Sequence, residues 1–164
     1  LRISSPKFPL EVPLVMAMIR QESAFYVRAK SHANARGLMQ ILPRTARRVA
    51  RSLKIRYSKK RLMTDPDYNM TLGQAYIAGL IDEFDGSYVL AISAYNAGPG
   101  RARKWAKLNG NPRERTIDTI DWSEMIPFNE TRNYVQRVLE NRQIYRLKLA
   151  DTEVAETLEQ DLVR

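Results

Sequence analysis

The chain has 164 residues, 44% of them apolar, with no cysteine, one histidine and a formal net charge of +9. That is enough for one domain with a sizeable core, and nothing in it suggests a fibrous repeat or disorder. Disulfides and thiol catalysis are excluded, His-based zinc sites and a Ser-His-Asp triad are disfavoured, and no apolar run approaches the roughly 20 residues of a membrane span.

Taken in order, Leu1 to Val12 reads as a lead-in with Pro6 and Pro9, in which Phe8 and Leu10 pack on the domain. Leu1 in place of an initiator Met reads as a processed or excised chain, and no secretory signal is visible. Pro13 suits the first position of a helix running to Ser23. Leu14 to Ile19 are apolar on every side, which predicts an enclosed helix. Polarity changes abruptly at Arg20-Gln21-Glu22-Ser23. Ala24 to Gln40 lacks a clean period and holds loop chemistry at Ser31 to Gly37. Pro43 restarts a helix whose apolar Ala46, Val49, Ala50 and Leu53 oppose Arg44, Arg47, Arg48 and Arg51.

Asp65-Pro66 predicts a second start, with Asp as cap and Pro at the first position. Leu72, Tyr76, Leu80 and Phe84 then form a stripe ending near Gly86. Ser87 caps a short helix through Ala94, closed by Gly98. Pro99 opens another with Ala102, Trp105 and Ala106 inward, ending at Gly110. Asn111 to Phe128 is irregular, with a turn of helix at Trp122 to Ile126. Asn129 caps a long final helix bearing Tyr134, Val135, Val138, Leu139 and Tyr145. Residues 151–164 are acidic and weakly amphipathic, either a docked helix or a mobile tail. No period-two strand pattern or internal repeat is visible. The expected architecture is all-α, about seven short helices packed on one another.

Charge is placed unevenly. Ser23 to Thr64 holds twelve Lys/Arg and no Asp/Glu. Such a field attracts an acidic polymer, nucleic acid or another, unless it is simply a solvated face.

Glu22 falls in the last turn of its helix. There the negative end of the macrodipole and partial burial both favour the protonated carboxyl, as a general acid requires. On these residues alone Glu22 is equally a residue marking where the helix meets solvent.

Four stretches read together break that tie: Glu22-Ser23, Gly37-Leu38-Met39-Gln40, Ala94-Tyr95-Asn96-Ala97-Gly98 with Pro99-Gly100, and Glu130-Thr131-Arg132-Asn133-Tyr134-Val135. In this order and spacing the chain resembles the catalytic domain of the soluble lytic transglycosylases, the goose-lysozyme-like muramidases of bacterial cell walls, over roughly residues 13–149. The resemblance implies a compact, lysozyme-like multi-helix domain with a substrate cleft, spanning residues 1–149 with 150–164 as an acidic tail. It implies Glu22 as the sole catalytic acid/base and Ser31 as a cleft serine near the substrate N-acetyl group. Gly37, Met39 and Gln40 match a loop under the glycan, with Gln40 hydrogen-bonding it. Tyr95 matches a tyrosine whose hydroxyl lies near the catalytic glutamate, and Asn96 is its motif neighbour. Glu130 matches a carboxylate meeting the peptide portion of the wall, and Tyr134 an aromatic near the cleft. Leu42 stands where several relatives carry Met. His-Ala-Asn-Ala-Arg at 32–36 replaces a small Gly-containing turn.

The same resemblance implies non-hydrolytic cleavage of the MurNAc-GlcNAc β-1,4 bond to a 1,6-anhydromuramoyl end, with no cofactor or metal. The expected partners are peptidoglycan glycan strands and stem peptides, in the periplasm or envelope of a bacterium, with peripheral contact to wall or envelope. Nucleic acid is not expected, because no helix-turn-helix, zinc-finger or RNA-binding signature is present. The residues fit the single-carboxylate chemistry. Glycosidases ordinarily pair two carboxyls, yet no Asp or Glu occurs between Glu22 and Asp65. The alternatives are a hydrolytic goose-type muramidase, and a non-catalytic wall- or nucleic-acid-binding module.

Overall fold

The computed structural model describes residues 10–114 and 117–149. Among them are eight α-helices and one 3-10 turn, with no strand; the only β-type pairings are isolated bridges, Lys30 with Arg36 and Arg36 with Ile41. The all-α expectation is met. Phe8 and the 150–164 tail lie outside the described residues, and Leu10 is half-buried. The chain divides into two compact units, Leu1–Ala78 and Gly79–Arg164.

In the first unit, α1 (Val12–Ser23) begins one residue before Pro13, which therefore takes the second helical position. Leu14, Val15, Ala17, Met18 and Ile19 are wholly buried, and Met16 is half-buried, so the helix is enclosed on nearly every side. α2 (Pro43–Ser52) turns Ala46, Val49 and Ala50 into a cluster with Ile41, Leu62, Tyr68 and Leu72, leaving its arginines in solvent. A four-residue helix, α3 (Arg61–Thr64), has no side-chain cap and was not expected. α4 (Pro66–Glu83) starts as predicted. Its stripe is only part of what it buries, since Asn69, Met70, Gly73, Gln74 and Ile77 are inside as well. A helix buried on several faces hides its period, so only the strongest row was legible.

Asp65 supplies the start signal for α4. Its Oδ1 accepts from the Tyr68 N–H at 3.0 Å, and its Oδ2 accepts from Arg61 Nε and NH2 at 3.1 and 2.9 Å. The Tyr68 N–H above all holds this carboxyl below the usual range; burial opposes it, and Arg61 and the Asp67 N–H add to the lowering. A depressed folded pKa stabilises above the unfolded value of about 3.9, and that stability is lost as pH falls towards the folded value. Asp65→Ala is expected to cost about 1 kcal/mol near neutral pH. The gap between wild type and variant in urea midpoint should narrow by about pH 3.

In the second unit, α5 (Tyr88–Ala97) is capped by Ser87, whose Oγ accepts from the Leu90 N–H at 3.3 Å. It runs three residues past Ala94, and Gly98 closes it with φ 94° while starting α6 (Pro99–Asn109). Ala102 and Trp105 are buried there as expected. The described residues of the 111–128 stretch are more regular than its sequence suggested: a 3-10 turn at Pro112–Glu114 and α7 (Thr119–Glu124). The true cap is Asp118, whose Oδ1 accepts from Ile120 and Asp121. Trp122 anchors α7, fully buried and donating through Nε1 to the Gly110 carbonyl at 2.8 Å. α8 (Asn129–Leu149) buries Tyr134, Val135, Val138 and Leu139. Asn129 is its first residue rather than its cap, and its Oδ1 accepts from Arg132 NH2.

Candidate active site

In the first unit, Glu22 stands in the last turn of α1 and is partly buried. Ala24 ends the helix in the left-handed region at φ 48°, its N–H donating to the Arg20 carbonyl, and Phe25 follows at φ 65°. Two consecutive non-glycine residues with positive φ are costly, and such strain clusters where a chain must turn sharply around a site. Asn34 and Gln40 add two more, at φ 69° and 43°.

The 29–41 loop is tied at every level. Ser31 N–H donates to Ala35 O and Ser31 Oγ accepts from Ala35 N–H at 3.0 Å. Arg36 and Ile41 exchange backbone bonds, and Gly37 N–H donates to Ala29 O. Gln40 Nε2 donates to the carbonyls of Ala29 and Gly37 at 3.1 and 2.9 Å. Asn69, almost wholly buried, clamps the loop from α4. Its Oδ1 accepts from Met39 N–H at 2.9 Å, and its Nδ2 donates to the carbonyls of Arg36 and Leu62 at 2.8 and 2.9 Å. Sequence reading missed Asn69. The signal was a polar side chain on a helix otherwise apolar at that level.

Two expected contacts need correction. Met39 is fully buried, with its side chain packed where a Cβ on Gly73 would sit, so that side chain offers no surface to a sugar. Gly37, also expected under the glycan, is buried as well. It lies inside the loop at φ 75°, pressed against the Leu62 carbonyl and the Asn69 amide. Ser31 and Gln40 remain partly exposed, and His32 is a solvent-facing loop residue.

In the second unit, Tyr95 and Asn96 occupy the last turn of α5, both partly exposed. Asn96 Oδ1 accepts from Thr131 Oγ1 at 2.8 Å, which joins the third and fourth motifs directly. Thr131 is buried and was not singled out from sequence. Glu130 is exposed in the first turn of α8, where the helix N-terminus favours a carboxylate, and Tyr134 is 6% exposed. Among the described residues, no three His, Cys, Asp or Glu side chains group so as to hold a metal ion.

The Transglycosylase SLT domain model matches residues 2–117. The chain belongs to the SLT transglycosylase family. Residues 125–153 match a separate model, the soluble lytic transglycosylase helical domain. The soluble lytic murein transglycosylase of Escherichia coli K12 is 40% identical over 144 residues, covering 86% of this chain and 22% of the relative. The membrane-bound lytic murein transglycosylase D of the same organism is 31% identical, covering 96% of this chain and 34% of that one. Two solved structures share the all-α lysozyme-like fold. The 70-kDa soluble lytic transglycosylase of E. coli superposes with TM-score 0.83 at 35% identity, over 98% of this chain and 24% of its own. An inactive Glu-to-Gln mutant of lytic transglycosylase Slt from Pseudomonas aeruginosa gives 0.77 at 43% identity, over 85% and 22%. The chain thus spans about a fifth to a third of the length of these SLT relatives.

Proposed function

We propose that this SLT chain is the catalytic part of a peptidoglycan lytic transglycosylase, with Glu22 as its single acid/base. The observation that carries the reading is Glu22 itself. It is a partly buried carboxyl at the end of an enclosed helix, with no further Asp or Glu until Asp65. A relative that is inactive with Gln in place of one Glu supports an essential glutamate in the family.

In this mechanism Glu22 donates its proton to the oxygen bridging N-acetylmuramic acid and N-acetylglucosamine, and the glycosidic bond breaks. The N-acetyl group shields the oxocarbenium-like C1. The Glu22 carboxylate then takes the proton of the same sugar's C6 hydroxyl as that oxygen bonds to C1. No water is consumed and Glu22 ends as it began. One group acting in both directions needs a pKa near the working pH.

The remaining residues divide by what the fold leaves them. Ser31 Oγ accepts from Ala35, which leaves its hydroxyl proton for an acetamido oxygen. Gln40 spends its Nε2 on the loop, so its Oε1 is the atom for a sugar hydroxyl. Gly37 and Met39 act by shaping that loop. By the family resemblance alone, Tyr95, Asn96 and Tyr134 are assigned to glycan contact, Glu130 to the stem peptide, and residues 1–149 to the catalytic domain. The bacterial cell envelope follows as the site of action, since that is where the polymer lies; no described helix is long and apolar enough to cross a membrane.

Mass spectrometry of products from purified peptidoglycan tests the reading. Muropeptides one water lighter than hydrolytic products are expected. Products of full hydrolytic mass would make the chain a muramidase, and no release of muropeptides would make it a binding module.

A further inference from the structure

The chemistry above uses none of the arginines on α2. Arg44, Arg47, Arg48 and Arg51 are all exposed, and among the described residues none is paired with a carboxylate. They stand three and four residues apart, so like charges face one another along the helix, which is unfavourable in the free protein. The stretch holding them has no acid from Ser23 to Thr64. Among the described residues no carboxylate supplies a counter-charge to this face.

Two of the four are also pre-arranged. Arg47 lies 5.1 Å over the ring of Tyr57 and Arg48 5.8 Å over that of Tyr76. Stacking uses the flat face of a guanidinium and leaves its N–H edges free for acceptors in the plane. All four positions are Arg and none is Lys, the composition suited to bidentate grip of a planar carboxylate. Arg36, on the loop just before α2, belongs to the same system. Its NH1 meets Met63 Sδ and its NH2 meets Asn34 Oδ1, both at 2.9 Å, while its buried Nε has no partner. Burial raises the Tyr57 phenol above its ordinary range, Arg47 opposes that, Tyr68 adds to it and Arg36 opposes it again. Both guanidiniums therefore act electrostatically on the same ring.

We propose that the arginine face of α2 docks the free carboxylates of peptidoglycan stem peptides, so that the protein selects wall whose stems carry carboxylates over wall in which they are amidated. This rests on the wall-lytic reading and deepens it by naming what the basic surplus recognises. A lipid surface fits less well, because the apolar residues of α2 (Ala46, Val49 and Ala50) are turned into the core and have nothing to insert. Stem carboxylates sit on the polymer offered to Glu22, and α2 begins at Pro43, shortly after Gln40 of the loop.

The test is a binding assay in the Glu22→Gln background, so that cleavage does not enter. Sedimentation of the chain with native sacculi, and with sacculi whose carboxyls have been amidated by carbodiimide and ammonia, gives two affinities. Native sacculi are expected to bind on the order of tenfold more tightly, with the advantage shrinking as salt rises. Replacing all four arginines with Gln should remove that advantage and leave binding to amidated sacculi unchanged, with the far-UV circular dichroism of the folded parent retained. A quadruple variant that still prefers native sacculi, or a parent with no preference, overturns the proposal. So does a parent that lacks the preference while binding phosphatidylglycerol vesicles through the same arginines, which would make the partner a membrane. Absence of muropeptide release by the wild type is a separate result and refutes the catalytic reading alone.

Discussion

Glu22→Gln is expected to lower cleavage of peptidoglycan by about 10³-fold or more, with an unchanged melting temperature. Gln keeps the size and most of the hydrogen bonding of Glu and loses only the ability to give and take a proton. Most glycosidases divide the acid and the nucleophile or base roles between two carboxyls. Here the segment following Glu22 is acid-free to Thr64 and supplies no substitute. The loss should therefore fall on kcat, with binding to sacculi retained. A variant keeping more than about a tenth of wild-type turnover would remove Glu22 from the centre of the mechanism.

Gly37→Ala should be the most damaging of the single-methyl changes to the site, by about 4 kcal/mol in urea unfolding and with loss of activity. A Cβ there would overlap the Leu62 carbonyl oxygen and the Asn69 amide, and φ is 75°. The Leu62 carbonyl is backbone and cannot swing aside. Moving Asn69 instead breaks its bonds to Met39, Arg36 and Leu62, leaving buried polar groups unpaired. Gly98→Ala is the internal control. It has φ 94° but nothing within 4 Å of the added carbon, so only the backbone cost of about 1–2 kcal/mol applies. Equal effects of the two changes would mean that loop crowding is not what holds the Gly37 turn.

Legibility in the sequence followed how local the physics was. Helix starts written in side-chain chemistry, Pro43, Asp65-Pro66, Ser87 and Pro99, appear at or within a residue of where they were read. α3 escaped because it is four residues long without a side-chain cap, and the helical turn expected at Trp122 to Ile126 starts three residues earlier, because Asp118 caps it. α4 disclosed one stripe and concealed Asn69, since a buried polar residue is explained only by the loop it clamps, thirty or more residues away. The loop motif was readable as a motif and not as a structure. Gly37 and Met39 looked like surface contacts, and long-range bonds and packing turn both inward. Likewise, nothing local to Asn96 announces the bond that Thr131 donates from α8.

The central claim is that the nucleophile belongs to the substrate and that one carboxyl serves both steps. Cleavage of purified peptidoglycan in water enriched in heavy oxygen tests it most directly, by mass spectrometry of the released muropeptides. The expected result is 1,6-anhydro ends with no heavy oxygen incorporated. Reducing ends carrying the label would contradict the account, because water would then be the attacking group.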